Sequence, residues 1–245
     1  MKFTVITVVK NRADVIKATI KSVLSQNYND FEYIIFDANS TDGTSEEILK
    51  FKNKILYFRE DDKSLYDALN KAYEMASGQV IGHLHAGDTF NNINCLKNIS
   101  QKFNNNKIDL LSGNLKYINL RSKKITREWR YPITILSKNN VYKIPHTTIF
   151  LKKSILTQKN FYNIKYKISS DTDFLIRLSK LNLSYYYYDC FLIIMSDSGL
   201  STSWNLVFKK INEDIKIYVN HFGIKGFFFY IRKVLYKIPS FFKTT

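Results

Sequence analysis

Cysteine is scarce in this 245-residue chain. Cys95 and Cys190 are the only two, far apart and without a CxxC pair or a histidine at ligand spacing. That argues against a disulfide framework and a cysteine-built metal site, and makes two reduced, buried thiols in a reducing compartment the expectation. Long hydrophobic runs are missing as well. No stretch reaches the ~18 consecutive apolar residues of a membrane span. Met1–Val9 is too short for a signal peptide's apolar region and has no small-residue cleavage site, so it reads as a first strand. With three prolines and eight glycines there is no Pro/Gly linker and no internal repeat, and low complexity is confined to Asn104–Asn106 and the tyrosine run Tyr185–Tyr188. Neither GxGxxG nor a Walker A sequence occurs, which disfavours a dinucleotide site and a P-loop. Acidic residues are sparse in two stretches of the second half. Residues 97–167 carry 16 basic and 2 acidic groups and 204–245 carry 8 and 2, whereas 1–96 carry 11 and 13.

What is present is a globular composition, 45% hydrophobic with 15% aromatic, long enough to bury one sizeable core with an appendage. The net charge of +16, concentrated in the second half, fits an anionic substrate, nucleic acid or anionic lipid, or a merely solvated lysine surface. Up to about residue 90, strand and helix patterns alternate. Phe3–Val9, Phe31–Phe36, Ile55–Phe58 and Val80–Leu84 read as strands, with helices over Asp14–Gln26, after Thr44, and from Ser64, with Ser64 as N-cap and Gly78 as the stop. Such alternation predicts a parallel sheet. Beyond Asp88 the rhythm changes. A helix is expected over Asn94–Phe103, antiparallel strands over Leu110–Leu120 and Lys124–Trp129, a strand over His146–Leu151, and a helix over Ser170–Lys180. Tyr185–Tyr188 and Phe191–Met195 read as two strands across a short turn. From Trp204 to Ile238 apolar residues recur at helical spacing in two segments, and His221–Thr245 has five basic residues and no acid. Basic amphipathic helices of this kind suit an anionic bilayer surface, or else close the core or a dimer contact. The expected division is therefore 1–203, with a nucleotide half (1–90) and an acceptor half (91–203), followed by a helical tail, 204–245.

The organising stretch is Gly78–Phe90, where the apolar strand stops at Ala86-Gly87 and leaves Asp88 at its carboxyl end, the edge at which open α/β sheets bind ligands. Asp37 stands at the tip of the second strand, placed to accept a uracil imide N–H or ribose hydroxyls. Thr7–Arg12 leaves the first strand beside it, with two cations for a diphosphate.

In order along residues 3–202, these features resemble family 2 glycosyltransferases, which have the GT-A fold and transfer a sugar from a nucleotide-diphosphate donor. The resemblance rests on Thr7 to Arg12 with Asn11, on Asp37–Thr44 against an Asp-x-x-Ser-Thr-Asp-Gly-Thr signature, and on Asp62–Ala72, which includes Lys63, Asp67 and Asn70. It extends to His85-Ala86-Gly87-Asp88 at the metal-binding Asp-x-Asp position, Pro145-His146-Thr147, and Asp171-Thr172-Asp173-Phe174. Two departures stand out. The metal motif keeps only its last acid, and Ser64 and Ala72 replace glycines.

The resemblance implies an α/β, Rossmann-like GT-A fold with a mixed central sheet. It also implies an inverting transfer of a hexose or N-acetylhexosamine, with UDP the default nucleotide. Asp88 is then the metal residue for Mn2+ or Mg2+. Thr7, Asn11, Arg12, Asp37, Lys63, Asp67, Asn70 and His146 become donor-site candidates, and Asp171 the base that takes the acceptor proton. Ser170 and Asp173 read as a capping box that leaves Asp171 free. The expected acceptor is a polyprenyl-diphosphate-linked or oligosaccharide intermediate of a surface polysaccharide. The expected location is cytoplasmic, peripheral on the inner face of the cell membrane. No motif of nucleic-acid recognition appears. A sugar nucleotidyltransferase and a non-catalytic anion- or membrane-binding module are the other readings.

Overall fold

In the computed structural model the described residues are 1–156, 161–196 and 204–242, with side chains of 206–236 in the last segment. Strand β1 (Phe3–Val9) is buried along its whole length and splits its side chains between two cores. Ile6 and Val8 face one core, and Phe3, Val5 and Val9 face the other, as the two-residue period of a strand requires. Helix α1 (Ile16–Leu24) lays Ile16, Ile20 and Val23 on the second core. Then come β2 (Phe31–Asp37), α2 (Thr44–Leu49), β3 (Leu56–Arg59), α3 (Leu65–Met75) and β4 (Val80–His83). Ser64 caps α3, its hydroxyl accepting from the Asp67 N–H at 3.2 Å.

The helix ends at Met75 without using Gly78 as a left-handed cap. Gly78 is needed for space instead. A Cβ there would lie 2.5 Å from the Phe3 carbonyl carbon and the Thr4 nitrogen, where the chain enters the sheet.

The first four long strands pair in parallel in the order β3-β2-β1-β4. After β5 (Thr89–Phe90) and α4 (Cys95–Asn105), the second half adds β6 (Leu110–Ile118), β7 (Ile125–Trp129) and β8 (Phe150–Lys152), then α5 (Ser170–Leu178) and β9 (Tyr185–Ser196). The sheet continues from β4 through β8, β6 and β9 to β5, with β7 branching from β6. β4–β8, β8–β6, β6–β7 and β9–β5 are antiparallel and β6–β9 is parallel, so the sheet is mixed, as expected.

Two expected strands differ. His146–Thr148 is a single 3-10 turn and only Phe150–Lys152 joins the sheet. Tyr185–Ser196 is one strand, because Asp189 and Cys190 form a bulge against β6, between the Gly113–Tyr188 and Asn114–Phe191 pairs, where a turn was expected. The Asn114 amide donates to Asp189 at 2.8 Å across that bulge. Cys95 is buried, but Cys190 is exposed, so only one of the two thiols is buried as expected.

Helices α6 (Trp204–Phe222) and α7 (Lys225–Phe242) complete the described chain. α6 buries Ile217 and Tyr218 in the core that α3 and α5 share. Ile224 in the turn before α7, and Phe228 and Leu235 on it, are largely exposed. Trp204 and Ile238 of the tail pattern lie outside the described side chains. No helix among the described residues is long and apolar enough to cross a membrane.

Candidate active site

The strand order reverses between β1 and β4, and a crevice at the carboxyl ends of strands flanking such a point is where an open α/β sheet receives a ligand. β1 exits through Asn11, whose φ of 51° is a left-handed conformation that asparagine tolerates better than most residues. The segment after β2 is tied to this exit. The Asn11 N–H donates to Ser40 Oγ at 2.9 Å, the Thr41 N–H to Asn11 Oδ1 at 2.9 Å, the Arg12 N–H to Thr44 Oγ1 at 2.8 Å and the Ala13 N–H to Asp42 at 3.1 Å.

Asp37 is the anchor beneath these bonds. Fully buried, it accepts from the Ser40 N–H (2.9 Å), the Ser45 hydroxyl (2.6 Å) and the Tyr57 hydroxyl (2.8 Å). Burial raises its pKa, but the bonds from Ser40, Ser45 and Tyr57 outweigh that and hold the carboxyl below the usual range.

Not every predicted donor-site residue points into the crevice. Thr7 is buried with its hydroxyl on Tyr33 at 2.9 Å. Asn70 is buried and uses both ends of its amide on the backbone of Tyr162, at 3.0 and 2.9 Å. Asp67 accepts from the Lys63 N–H at 3.0 Å in the cap of α3, and Lys63 itself is exposed.

β4 exits through His83, His85 and Asp88. Gly87 takes φ of 102°, and its N–H bonds Thr19 Oγ1 at 2.9 Å, so the turn folds Asp88 inward. Asp88 is buried and its Oδ2 has no hydrogen-bond partner among the described residues. Burial pushes its carboxyl up to about 8, against the pull of the His85 backbone, the Arg12 guanidinium and the Ser196 backbone. An anion so placed is suited to a cation, which would hold it ionised.

Three of the four histidines meet here. His85 Nε2 and His146 Nε2 are 3.3 Å apart, the His83 ring stacks on His146 with centroids 5.8 Å apart, and a ligand nitrogen from each lies within 4.8 Å of the others. Burial, reinforced by the neighbouring rings, lowers the pKa of His83 far below its usual value and that of His85 to about 3. Both are neutral imidazoles at neutral pH.

His146 also reaches Asp171, Nδ1 to Oδ2 at 3.2 Å. The backbone contact Asp88 N–H to His85 O at 2.9 Å, then His85, His146 and Asp171, thus form one continuous line from the tip of β4 to the first turn of α5.

The capping box expected at Ser170 and Asp173 does not form. The N-cap is Ser169, without a side-chain cap bond, and the Ser170 hydroxyl donates to the Asn163 carbonyl. Asp173 turns away and accepts from Arg177 Nε at 2.9 Å and His221 Nε2 at 2.7 Å, both stronger partners than an N-cap N–H. Burial raises the pKa of Asp173, and the bonds from His221 and Arg177 more than reverse it.

The tail holds the start of α5 in another way. Glu213 of α6 accepts from the N–H groups of Lys167 (3.0 Å), Ile168 (2.8 Å) and Ser169 (3.0 Å). Lys233 bridges Asp214 (2.8 Å) and the Thr172 hydroxyl (3.1 Å). Lys210 also feels this region. Burial lowers its pKa, but Asp171, Asp214 and Glu213 more than compensate.

Sequence reasoning gave no role to His83, Lys210 or Lys233, and noted His85 only as a departure from the acidic motif. Alternate positions on a strand would have put His83 and His85 on one face. Nothing local in the sequence signals the two lysines.

The model of the family Glycosyl transferase family 2 matches residues 4–238. A PGL/p-HBAD biosynthesis glycosyltransferase of Mycobacterium bovis is 26% identical over 181 residues, covering 71% of this chain and 68% of that protein. The UDP-Glc:alpha-D-GlcNAc-diphosphoundecaprenol beta-1,3-glucosyltransferase WfgD of Escherichia coli is 33% identical over 114 residues, 46% of this chain and 45% of that one. Among solved structures, S. aureus TarS 1–349 in complex with UDP superposes with a TM-score of 0.71 at 16% identity, over 98% of this chain and 72% of that one, which bears out the GT-A fold. With that fold and a family match over nearly its whole length, the chain belongs to glycosyl transferase family 2.

Proposed function

We propose that this glycosyltransferase is an inverting, metal-dependent hexosyl- or N-acetylhexosaminyltransferase that uses a UDP-sugar and glycosylates a polyprenyl-diphosphate-linked or oligosaccharide intermediate of a surface polysaccharide. The observation that carries the reading is the pairing of Asp171 with His146 on one side of the line of contacts and buried Asp88 on the other.

Asp88 fits Mn2+ or Mg2+, because its orphaned Oδ2 and raised pKa are those of a buried carboxylate lacking a counter-charge. When bound, such a cation supplies positive charge to the departing diphosphate, with phosphate oxygens and water completing its shell. Asp171 Oδ takes the proton of the acceptor hydroxyl as that oxygen bonds to the anomeric carbon and the bond from that carbon to the diphosphate oxygen breaks. A single in-line displacement inverts the centre. His146 positions the Asp171 carboxylate through Nδ1. Arg12, pulling on Asp88 across the turn, lies where a diphosphate would pass. The Asn11–Ser40–Thr44 stitching and Asp37 keep the nucleotide wall rigid, and Asn70 and Asp67 hold the segments behind it.

The nucleotide and acceptor follow what the WfgD name says of that protein, a UDP-Glc donor and a diphosphoundecaprenol-linked acceptor. Location at the inner face of the cell membrane is supported by α7 and the turn before it, where Ile224, Phe227, Phe228 and Leu235 are exposed beside exposed Lys225 and Arg232.

The test is nucleoside-diphosphate release from UDP-, GDP- and dTDP-sugars with Mn2+ and a membrane-extracted acceptor. Release from a UDP-sugar, with kcat lowered about 10²–10⁴-fold in Asp171→Asn and lost in Asp88→Asn, is expected. Turnover unaffected by Asp171→Asn would overturn the assignment of the base.

A further inference from the structure

The donor reading uses Asp88 for a cation held mainly by oxygen, yet the nitrogens beside it suit another ion. We propose that His83, His85 and His146 form a binding site for a Zn2+-type transition metal, separate from the cation of the donor diphosphate.

The geometry comes first. Two nitrogens bound to one tetrahedral ion at 2.0–2.1 Å lie roughly 3.3 Å apart, and His85 Nε2 and His146 Nε2 are 3.3 Å apart. The three ligand nitrogens lie within 4.8 Å of one another, so even the widest pair needs to close by only about 1.5 Å to reach that spacing. A rotation of one imidazole supplies such a movement.

The surroundings orient the rings as metal ligands are oriented. A histidine ligand commonly offers one nitrogen to the metal and gives the other to a carboxylate, hydroxyl or carbonyl that fixes the ring. His146 gives Nδ1 to Asp171 at 3.2 Å and turns Nε2 to the cluster. His83 gives Nδ1 to the Tyr73 hydroxyl at 3.2 Å, and its Nε2 is buried with no hydrogen-bond partner among the described residues. A hydrogen bond between His85 and His146 could satisfy those two rings, but it leaves His83 Nε2 with an unmet desolvation cost of about 1–3 kcal/mol. One ion accepting all three lone pairs removes that cost, and the Asp171 carboxylate one bond away offsets its charge.

The donor set also selects the metal. Three imidazoles suit Zn2+, Ni2+ or Cu2+ and discriminate against Mg2+, which prefers oxygen. Three protein ligands leave a further position open. Occupancy would also place a dication one residue away from Asp171, which weakens that carboxylate as a proton acceptor, so Zn2+ should inhibit transfer wherever Asp171 is the base. Binding itself does not rest on the transferase reading.

The experiment uses the full chain, stripped with a chelator and free of nucleotide. Zn2+ affinity is measured by competition with a chromophoric chelator, and Co2+ is added as a spectroscopic probe. One Zn2+ per chain, the intense visible bands of four- or five-coordinate Co2+, and binding weakened at least about tenfold in His85→Gln and in His83→Gln are expected. Asp88→Asn should keep the ion. Circular dichroism verifies that each variant is folded, and if His83→Gln is not, half-buried His85 still decides the matter. Weak binding that His85→Gln leaves unchanged overturns the proposal in favour of a hydrogen-bonded or hydrated cluster. Binding lost equally in Asp88→Asn overturns it in favour of the diphosphate cation site alone.

Discussion

Asp88→Asn should make the metal-free chain more stable at neutral pH while abolishing its activity. Burial holds the Asp88 carboxyl at about 8, whereas in the unfolded chain it returns to the ordinary 3.8. Below pH 4 both states are protonated and nothing is lost. Between pH 4 and 8 the unfolded carboxyl ionises and the buried one keeps its proton. The unfolded state then binds fewer protons, and stability falls by about 1.4 kcal/mol per pH unit. By pH 7 that amounts to at most about 4 kcal/mol. Asparagine avoids the whole loss but buries an amide beside an oxygen that had no partner, which returns about 1–3 kcal/mol. A net gain of about 1–3 kcal/mol at pH 7 remains, inside the usual exchange of stability for function at an active site. Urea denaturation in EDTA at pH 5 and pH 8 is the assay, because all other titrating groups are common to both proteins and cancel. The stability difference should move in favour of asparagine by up to about 3.5 kcal/mol between the two pH values. Mn2+ with UDP should raise the midpoint of the wild type and leave that of Asp88→Asn in place. A difference that does not change with pH would refute the buried, protonated carboxyl and with it the case for a missing counter-charge.

Two further outcomes concern the tail. Asp214→Ala leaves the Lys233 ammonium buried without its 2.8 Å partner and should cost about 3–5 kcal/mol in urea denaturation, with Asp214→Ala/Lys233→Met recovering much of it. A double variant no more stable than the single would contradict that pairing. Replacing Ile224 and Phe228 by serine removes two exposed apolar side chains worth roughly 1.5–3 kcal/mol each when buried. Co-sedimentation with anionic vesicles should weaken at least about tenfold while turnover of a water-soluble acceptor is kept, and equal vesicle binding by both proteins would remove α7 as the membrane face.

Much of the first half was legible because its signals are local. The β-branched run of β1, the Ser64 cap and the position of Asp88 at a strand tip need no knowledge of the rest of the chain. The Asp37–Thr44 cluster was recognisable as a loop, but the sequence pointed Asp37 at a nucleotide and did not reveal the bonds it makes within the chain. Its three intramolecular bonds come from residues as distant as Tyr57. Errors gathered where tertiary partners outcompete local ones. Ser170-x-x-Asp173 has the spacing of a capping box, yet Arg177 and His221 offer Asp173 charge-assisted or short bonds that a first-turn N–H cannot match. Asp189-Cys190 looked like a turn because a polar pair interrupts an apolar run. The parallel partner β6 absorbs the two extra residues as a bulge, and pairing on both sides of it keeps the strand whole.

The same competition explains why the tail matters to Asp171. With no side-chain cap of its own, the first turn of α5 takes its anchors from α6 and α7. Glu213 satisfies three N–H groups just ahead of it, His221 holds Asp173, and Lys233 holds Thr172. Asp171 lies between residues 170 and 172, both buried, and so inherits its position from contacts made more than forty residues later in the chain. A helix cap made of Ser170 and Asp173 would have oriented this turn more cheaply, but it would have left the carboxylate on a helix end free to fray. Fixing the turn from outside holds Asp171 beside His146, as the proposed general-base role requires. One face of the tail therefore supports the turn that bears Asp171, while Phe228 and Leu235 on α7 remain exposed to solvent.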